Sequence, residues 1–246
     1  MKEASQNRQE SRFSKLSFHK LDWLEYISLG LGIWFLLYPK PYEILFTILL
    51  CMPILGLLLN GINGRPSIAS LVEITKEDGR NKYDVADFIN FPAFIILIRV
   101  LLDFKFESFY SLVIPGTIAF VMMLMVLFLT HKVIEKSTKN KTWIYLSLLF
   151  NVLLYSYAGT YAANCVYDHS EPSVYQAEVI GKSIETSGRG GKSYYVTVTP
   201  WGHRSDLEGI SVSRVQYEKI QIGQTVNIDL KQGLLNIPWF YIEQNN

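Results

Sequence analysis

The sequence holds little of what catalytic and metal-binding chains are usually built on. Cysteine occurs twice and histidine four times in 246 residues. Cys51 lies inside an apolar run and Cys165 at the end of another. With no Cys-x-x-Cys pair and no Cys/His spacing, a disulfide framework, a structural zinc and a dithiol redox site are not expected. His19, His131, His169 and His203 are scattered, each beside an apolar boundary or in a loop, and none has a Glu-x-x-His companion. No metal site and no cofactor is expected. Charged residues are scarce at 18%, and the net charge of +1 argues neither for nor against a nucleic-acid partner. What matters is where the charges lie: Lys and Arg cluster in a few short segments between apolar runs, and no nucleic-acid partner is expected. The first apolar run is not expected to be a cleavable leader. It follows a long polar stretch and ends at Tyr38-Pro39 without a small-x-small pattern, so it reads as a retained span.

What the chain does have is long uncharged apolar stretches, in a composition that is 49% hydrophobic. A membrane span needs about 20 mainly apolar residues. Residues 109–130 and 142–167 carry no charge, and 44–64 passes with Pro53 and Gly56 as bend points that neighbouring helices tolerate. Residues 23–39 are stopped by Pro39 and Pro41. The segment 84–106 is the least regular: its apolar stretch, 88–98, is interrupted at Pro92 and followed at once by Arg99. Cytoplasmic loops collect Lys and Arg. Three basic clusters lie in the tail (Lys2, Arg8, Arg12, Lys15, Lys20), in one loop (Arg65, Lys76, Arg80, Lys82) and in another (Lys132, Lys136, Lys139, Lys141). All three share one side only if 84–106 crosses.

The expected architecture is therefore a multi-pass α-helical membrane domain of about five spans, with a small C-terminal all-β domain, barrel- or sandwich-like. Residues 1–22 form a cytoplasmic tail and 23–167 the helical domain, with spans near 23–39, 43–60, 87–104, 109–130 and 143–165. Residues 61–83 form an interfacial loop. In it Pro66-Ser67 followed by Ile68, Leu71 and Val72 predicts a short amphipathic helix, and Asp78-Gly79 a turn. Asp84 reads as a helix N-cap, with Asp87 in the first turn favoured by the helix dipole.

After Asp168 the pattern shifts to short alternating runs. Residues 174–180, 194–199, 209–212, 225–230 and 235–242 read as strands between glycines, and 213–220 as a short helical connection. This places an extracytoplasmic β domain over 168–246. Gly188-Arg189-Gly190-Gly191-Lys192 lacks P-loop spacing and is not followed by a helix, so it reads as a hairpin loop.

No catalytic constellation stands out. The candidate binding residues are Arg99, Asp103, Asn151, Trp201 and Trp239. Arg99 is an expensive charge in an apolar segment, and Asp103 lies one helical turn on, able to pair with it. Asn151 sits on a face with Tyr155, Ala158, Gly159 and Ala162, where small residues bring helices close and a buried amide needs a partner. Trp201 and Trp239 stand beside Pro200 and Pro238 near strand ends, where paired aromatics form either a binding patch or a packed core. Tyr38, Tyr42, Trp143, Tyr145, Tyr161 and Tyr167, at span ends, read as interfacial anchors.

The strand, Gly-rich hairpin, Tyr194-Tyr195 and Ile222-Gly223-Gln224-Thr225-Val226 together resemble the small β modules attached to membrane spans in bacterial proteins. The resemblance covers the last third of the chain, carries no functional residues across, and implies a bacterial inner membrane. The expected function is a non-enzymatic integral membrane protein, N-terminus cytoplasmic. Its outer β domain would bind or scaffold another membrane or extracytoplasmic protein, in an accessory, assembly or immunity-type role. A small transporter or channel using polar residues of the bundle is the alternative, and an enzyme acting on lipid-linked substrates the third reading.

Overall fold

The computed structural model describes residues 23–62, 64–77, 80–134, 140–186, 188 and 191–243. The polar tail, the Asp78-Gly79 turn, Lys136 and Lys139 of the second basic loop, and part of the run from Gly188 to Lys192 lie outside the described residues. The chain divides into two compact units: one ends at Asp103 and resumes over Tyr110–Tyr167, the other comprises Phe104–Phe109 and Asp168–Asn246.

Five helices build the first unit: α1 (Trp23–Leu37), α2 (Tyr42–Ile62), α3 (Asp87–Asp103), α4 (Tyr110–Thr130) and α5 (Lys141–Val166). Pro39 and Pro41 end α1, because proline cannot donate to the ladder and pushes its predecessor out of the helical region. The buried face of α5, from Ile144 through Leu148, Val152 and Tyr155 to Ala162, packs on α3 and α4. Small residues set the approach of neighbouring helices. A Cβ at Gly56 of α2 would fall 2.1 Å from the ring of Phe88 in α3, and one at Gly116 of α4 would fall 2.8 Å from Tyr157 in α5. Pro53 lies mid-way along α2 and deprives the Leu49 carbonyl of its helical donor; the Tyr155 hydroxyl donates to the next carbonyl, that of Leu50, and ties α5 to α2.

The five-span expectation is overturned. Among the described residues only α2 and α4 are long and apolar enough to cross a membrane. α1 has the apolarity without the length, while α3 has 17 residues that include Asp87, Arg99 and Asp103. α5 has the length, 26 residues, but its Tyr, Asn, Ser and Thr side chains dilute its apolarity. The orientation argument, which needed 84–106 to cross, loses its support with the count.

The loop 61–83 also folds differently. Ile68–Leu71 makes one 3₁₀ turn, capped by the Ser67 hydroxyl accepting from Ala69 N. The chain then runs into β1 (Val72–Glu77), which pairs antiparallel with β2 (Arg80–Val85). Ile68, Leu71 and Val72, at helical spacing, are all buried as that reading required, but the β-branched residues from Val72 onward favour strand. Asp84 is consequently a strand residue opposite Glu73, not a helix cap.

The second unit is a single six-stranded antiparallel sheet, which differs from the expected C-terminal barrel or sandwich. Its strands are β3 (Lys105–Phe106), β4 (Ser173–Thr186), β5 (Lys192–Val198), β6 (Glu208–Val212), β7 (Thr225–Lys231) and β8 (Trp239–Ile242). Their order is β3-β8-β7-β4-β5-β6. Strand β3 comes from the stretch between α3 and α4, so the sheet is not wholly C-terminal. The long β4 curls it: residues 173–178 pair with β7, the rest with β5, and the register shifts between Val179 and Gly181. A bulge of this kind bends a strand and raises its twist. Inside the curl lie Ala177, Val179, Val196, Val198, Trp201, Ile210, Val226, Ile228, Phe240 and Ile242. Helix α6 (Arg214–Lys219) follows β6 and starts with a capping box between Ser213 and Gln216.

Candidate functional site

In the helical unit, Arg99 and Asp103 do come together. Arg99 Nη2 lies 2.7 Å from each carboxylate oxygen. The Tyr42 hydroxyl donates to Asp103 Oδ2 at 2.7 Å, and Arg99 Nη1 reaches the Leu36 carbonyl at 3.4 Å. The guanidinium also faces the rings of Phe35 and Tyr42, 5.8 and 6.0 Å from its carbon. One cation thus closes the C-terminus of α1, where carbonyls lack helical donors and positive charge is favoured, and joins it to α2 and α3. Chemically this is a half-buried ion pair used as a clamp, with both carboxylate oxygens already occupied. The spacing of Arg99 and Asp103 was visible in the sequence; the role of Tyr42, 61 residues away from Asp103, was not.

Asn151 is buried on α5, donates from Nδ2 to the Ser147 carbonyl, and its Oδ1 has no hydrogen-bond partner among the described residues. A second polar group escaped the sequence reading. His131, 1% exposed, bonds Thr130 Oγ1 through Nδ1 at 2.8 Å and Asn60 through Nε2 at 3.1 Å. Burial pushes its pKa down to about 4, so the imidazole is neutral and serves as a polar tie between α2 and the end of α4. Asp84 and Asp87 are close enough to influence one another: burial first, then Asp84, raises the Asp87 pKa.

In the β unit both tryptophans are buried. Trp201 is 3% exposed and donates from Nε1 to Glu208 Oε2 at 3.1 Å. Trp239 is 7% exposed and donates to Asp168 Oδ2 at 2.9 Å. Neither indole offers a free face as an aromatic patch. Each instead anchors a charged cluster. Arg204 lies 5.0 Å from the rings of both Trp201 and Phe240, pairs with Glu208, and donates to the Glu107 carbonyl at 3.0 Å. Glu107 also pairs with the exposed His203 at 2.7 Å. Asp168 accepts from Ser170 N, Gly233 N and Trp239 Nε1. Burial alone would raise its carboxyl; the bonds from Ser170 and Trp239, with Lys231 nearby, outweigh that and hold it below the ordinary carboxylate range. Asp229, on β7, is 5% exposed and bonded to Tyr241, whose pKa rises through burial and that bond. Arg204, Glu107 and Asp168 carried no sequence signal, because each is defined by partners on distant elements.

Among the described residues no group of three or more His, Cys, Asp or Glu side chains is placed to hold a metal ion. No protein family matches this chain, and neither a curated protein nor a solved structure does.

Proposed function

We propose that this chain is an integral membrane protein, held in a bilayer through α2 and α4, whose β unit engages another protein. The observation that carries the reading is α4. It holds no charged residue, yet only 22% of its most apolar stretch is buried. Ile114, Ile118, Met122 and Leu129 are between 57% and 73% exposed. A core helix of a water-soluble protein would be covered, and a leader would lie near the start of the chain. Exposed apolar surface costs about 25 cal/mol per Å² in water, so a lipid solvent is what supports this helix. Several hydroxyls of the helical unit turn back onto their own helices: Thr47 to Glu43 O, Thr117 to Val113 O, Thr130 to Val126 O and Ser156 to Val152 O. Such i to i−4 bonds satisfy polar groups where water is scarce.

For the β unit, the favoured activity is recognition. The charged clusters around Arg204 and Asp168 are engaged in fixed pairs, while β6 has a neighbouring strand on one side only. Leu207 and Val215, 60% and 62% exposed, flank that strand. An open edge invites strand addition by an extended segment of another protein. The test is a photo-crosslinking residue at Ser211 of β6 and, in parallel, at Met122 of α4, in native membranes. A discrete protein adduct from Ser211 and lipid adducts from Met122 are expected. Release of the chain by alkaline extraction would overturn the membrane assignment, and absence of any protein adduct from β6 would overturn the recognition role.

A further inference from the structure

At one end of the helical unit, exposed apolar side chains give way to cations within about one turn on three different helices. On α2, Ile62 is 74% exposed and Arg65 follows. On α4, Leu129 is 73% exposed and Lys132 follows. On α5 the sequence runs the other way, Lys141 preceding Trp143 and Leu146, which are 57% and 53% exposed. These three transitions stand at one level because hydrogen bonds lace them together. Arg65 Nη2 donates to the Phe128 carbonyl at 2.9 Å. Lys132 N donates to Pro66 O at 2.8 Å, and Ile68 N to Lys132 O at 2.9 Å. Ile134 N donates to the Tyr145 hydroxyl at 3.2 Å.

Aromatic residues sit at the same level. The Tyr83 and Trp143 rings stack at 6.3 Å and 25°, joining β2 to the start of α5, and Lys141 lies 5.9 Å over the Tyr145 ring. Beyond them, the hairpin from β1 to β2 exposes Glu73, Thr75, Lys76, Arg80, Asn81 and Lys82 around one apolar side chain, Ile74, a surface that is mainly for water or headgroups. The opposite end of α4 is marked by Tyr110, 89% exposed. From Tyr110 to Thr130 the helix rises about 30 Å at 1.5 Å per residue, which equals the thickness of a bilayer's hydrocarbon core, about 30 Å.

We infer that this end of the helical unit is an interfacial collar that sits among the headgroup phosphates of a lipid bilayer. Trp143 lies in the interface, Arg65, Lys132 and Lys141 face the phosphates, and the hairpin stands outside the hydrocarbon. The inference rests on the membrane reading above and adds a depth to it. Indole and phenol rings favour the headgroup level because one edge is apolar and the other polar. Lys and Arg at helix ends extend their charges toward phosphate while their stems stay in apolar surroundings.

Spin labels on the full-length chain in phosphatidylcholine–phosphatidylglycerol vesicles test this. Labels at Met122→Cys, Trp143→Cys and Thr75→Cys, with Cys51 replaced by Ser, are compared by collision with oxygen, which partitions into hydrocarbon, and with a water-soluble nickel chelate. The expected order is oxygen-dominated at 122, intermediate at 143 and nickel-dominated at 75. A deep label at 122 with an equally deep label at 75, or with 143 fully in water, overturns the collar and leaves the membrane reading standing. Nickel-dominated relaxation at 122 overturns the membrane reading itself. The fluorescence that Tyr83→Trp adds to a Trp143→Phe background, taken as the difference from that background alone, is a second measure: it is expected to be quenched by lipids brominated near the headgroup more than by those brominated at mid-chain, and the reverse ranking rejects the collar.

Discussion

The two units satisfy their polar groups in different ways. In the helical unit, several hydroxyls and amides bond the carbonyl one turn back on their own helix, as Thr47, Thr117, Asn151 and Ser156 do. In the β unit the bonds join distant parts of the chain: Arg204 reaches Glu107, 97 residues away, and Trp239 reaches Asp168, 71 away. A chain in lipid has no water to complete a polar group that a shifted helix abandons, so local satisfaction is the safer arrangement. A sheet in water can place charges at its seams, where solvent completes whatever the pair leaves open. The difference teaches that long-range polar bonds run through the β unit, while in the helical unit they are confined to a few ties such as Tyr42 to Asp103 and Asn60 to His131.

The sharpest way to break that contrast is Asp168→Ala. The substitution removes the acceptor for Ser170 N, Gly233 N and Trp239 Nε1 and strips Lys231 of its nearby anion. Losing a buried charge while its donors remain costs about 3–5 kcal/mol. Thermal unfolding of the purified chain, followed by protease cleavage within 173–243, is expected to show the β unit failing first. A loss below about 1 kcal/mol would mean the Asp168 cluster does not hold the sheet.

The next test concerns packing instead of polarity. Gly56→Ala puts a Cβ where the buried Phe88 ring stands, and overpacking of that kind costs about 1–3 kcal/mol. Gly30→Ala, on α1, meets nothing within 4 Å and is expected to raise stability by about 0.5–1 kcal/mol, because alanine favours the helix over glycine. Equal effects from the two substitutions would remove the claim that close helix approach at Gly56 stabilises the unit.

These residues also show what the sequence discloses. The apolar runs marked where helices form, and period-two alternation marked β5, β6 and β7, because both signals are local. The count of spans failed where hydropathy and helix length part company. α3 carries Arg99 and Asp103 as a clamp with Tyr42, and α5 keeps the polar residues that pack it against its neighbours. Strand β3 has two residues and no periodicity of its own; only its pairing with Phe240 and Trp239 makes it a strand. In the same way, Arg99 and Asp103 were legible from their spacing, while Tyr42, Arg204 and Asp168 depend on neighbours the fold supplies.

Acid separates the two units by window. The folded His131 pKa lies below the ordinary histidine value, about 6.5, so between 6.5 and about 4 the unfolded chain takes up a proton that the folded site refuses. Stability therefore falls as pH drops through that range. The Asp168 carboxyl is held below its ordinary value, so its contribution is present above the unfolded value, about 3.9, and is lost only at lower pH. Melting temperature against pH is expected to decline from about 6.5 downward for the native chain. His131→Gln should flatten that upper part of the curve and leave the steeper loss below about 4 in place. An unchanged upper slope in the variant would assign the acid response to another group.

The smallest expected effect is the most informative about the helical unit. Ser156 is 3% exposed, and its hydroxyl donates only to the Val152 carbonyl, which an i to i−4 backbone donor already serves. Ser156→Ala removes one side-chain bond and strands no partner, so stability is expected to move by less than about 0.5 kcal/mol. Were α5 the wall of a polar pathway, the same substitution would alter solute or ion flux through vesicles containing the chain, with stability unchanged. A flux that depends on Ser156 would show that the polar residues of this unit do more than satisfy themselves, and would move the weight of the function from the sheet to the helices.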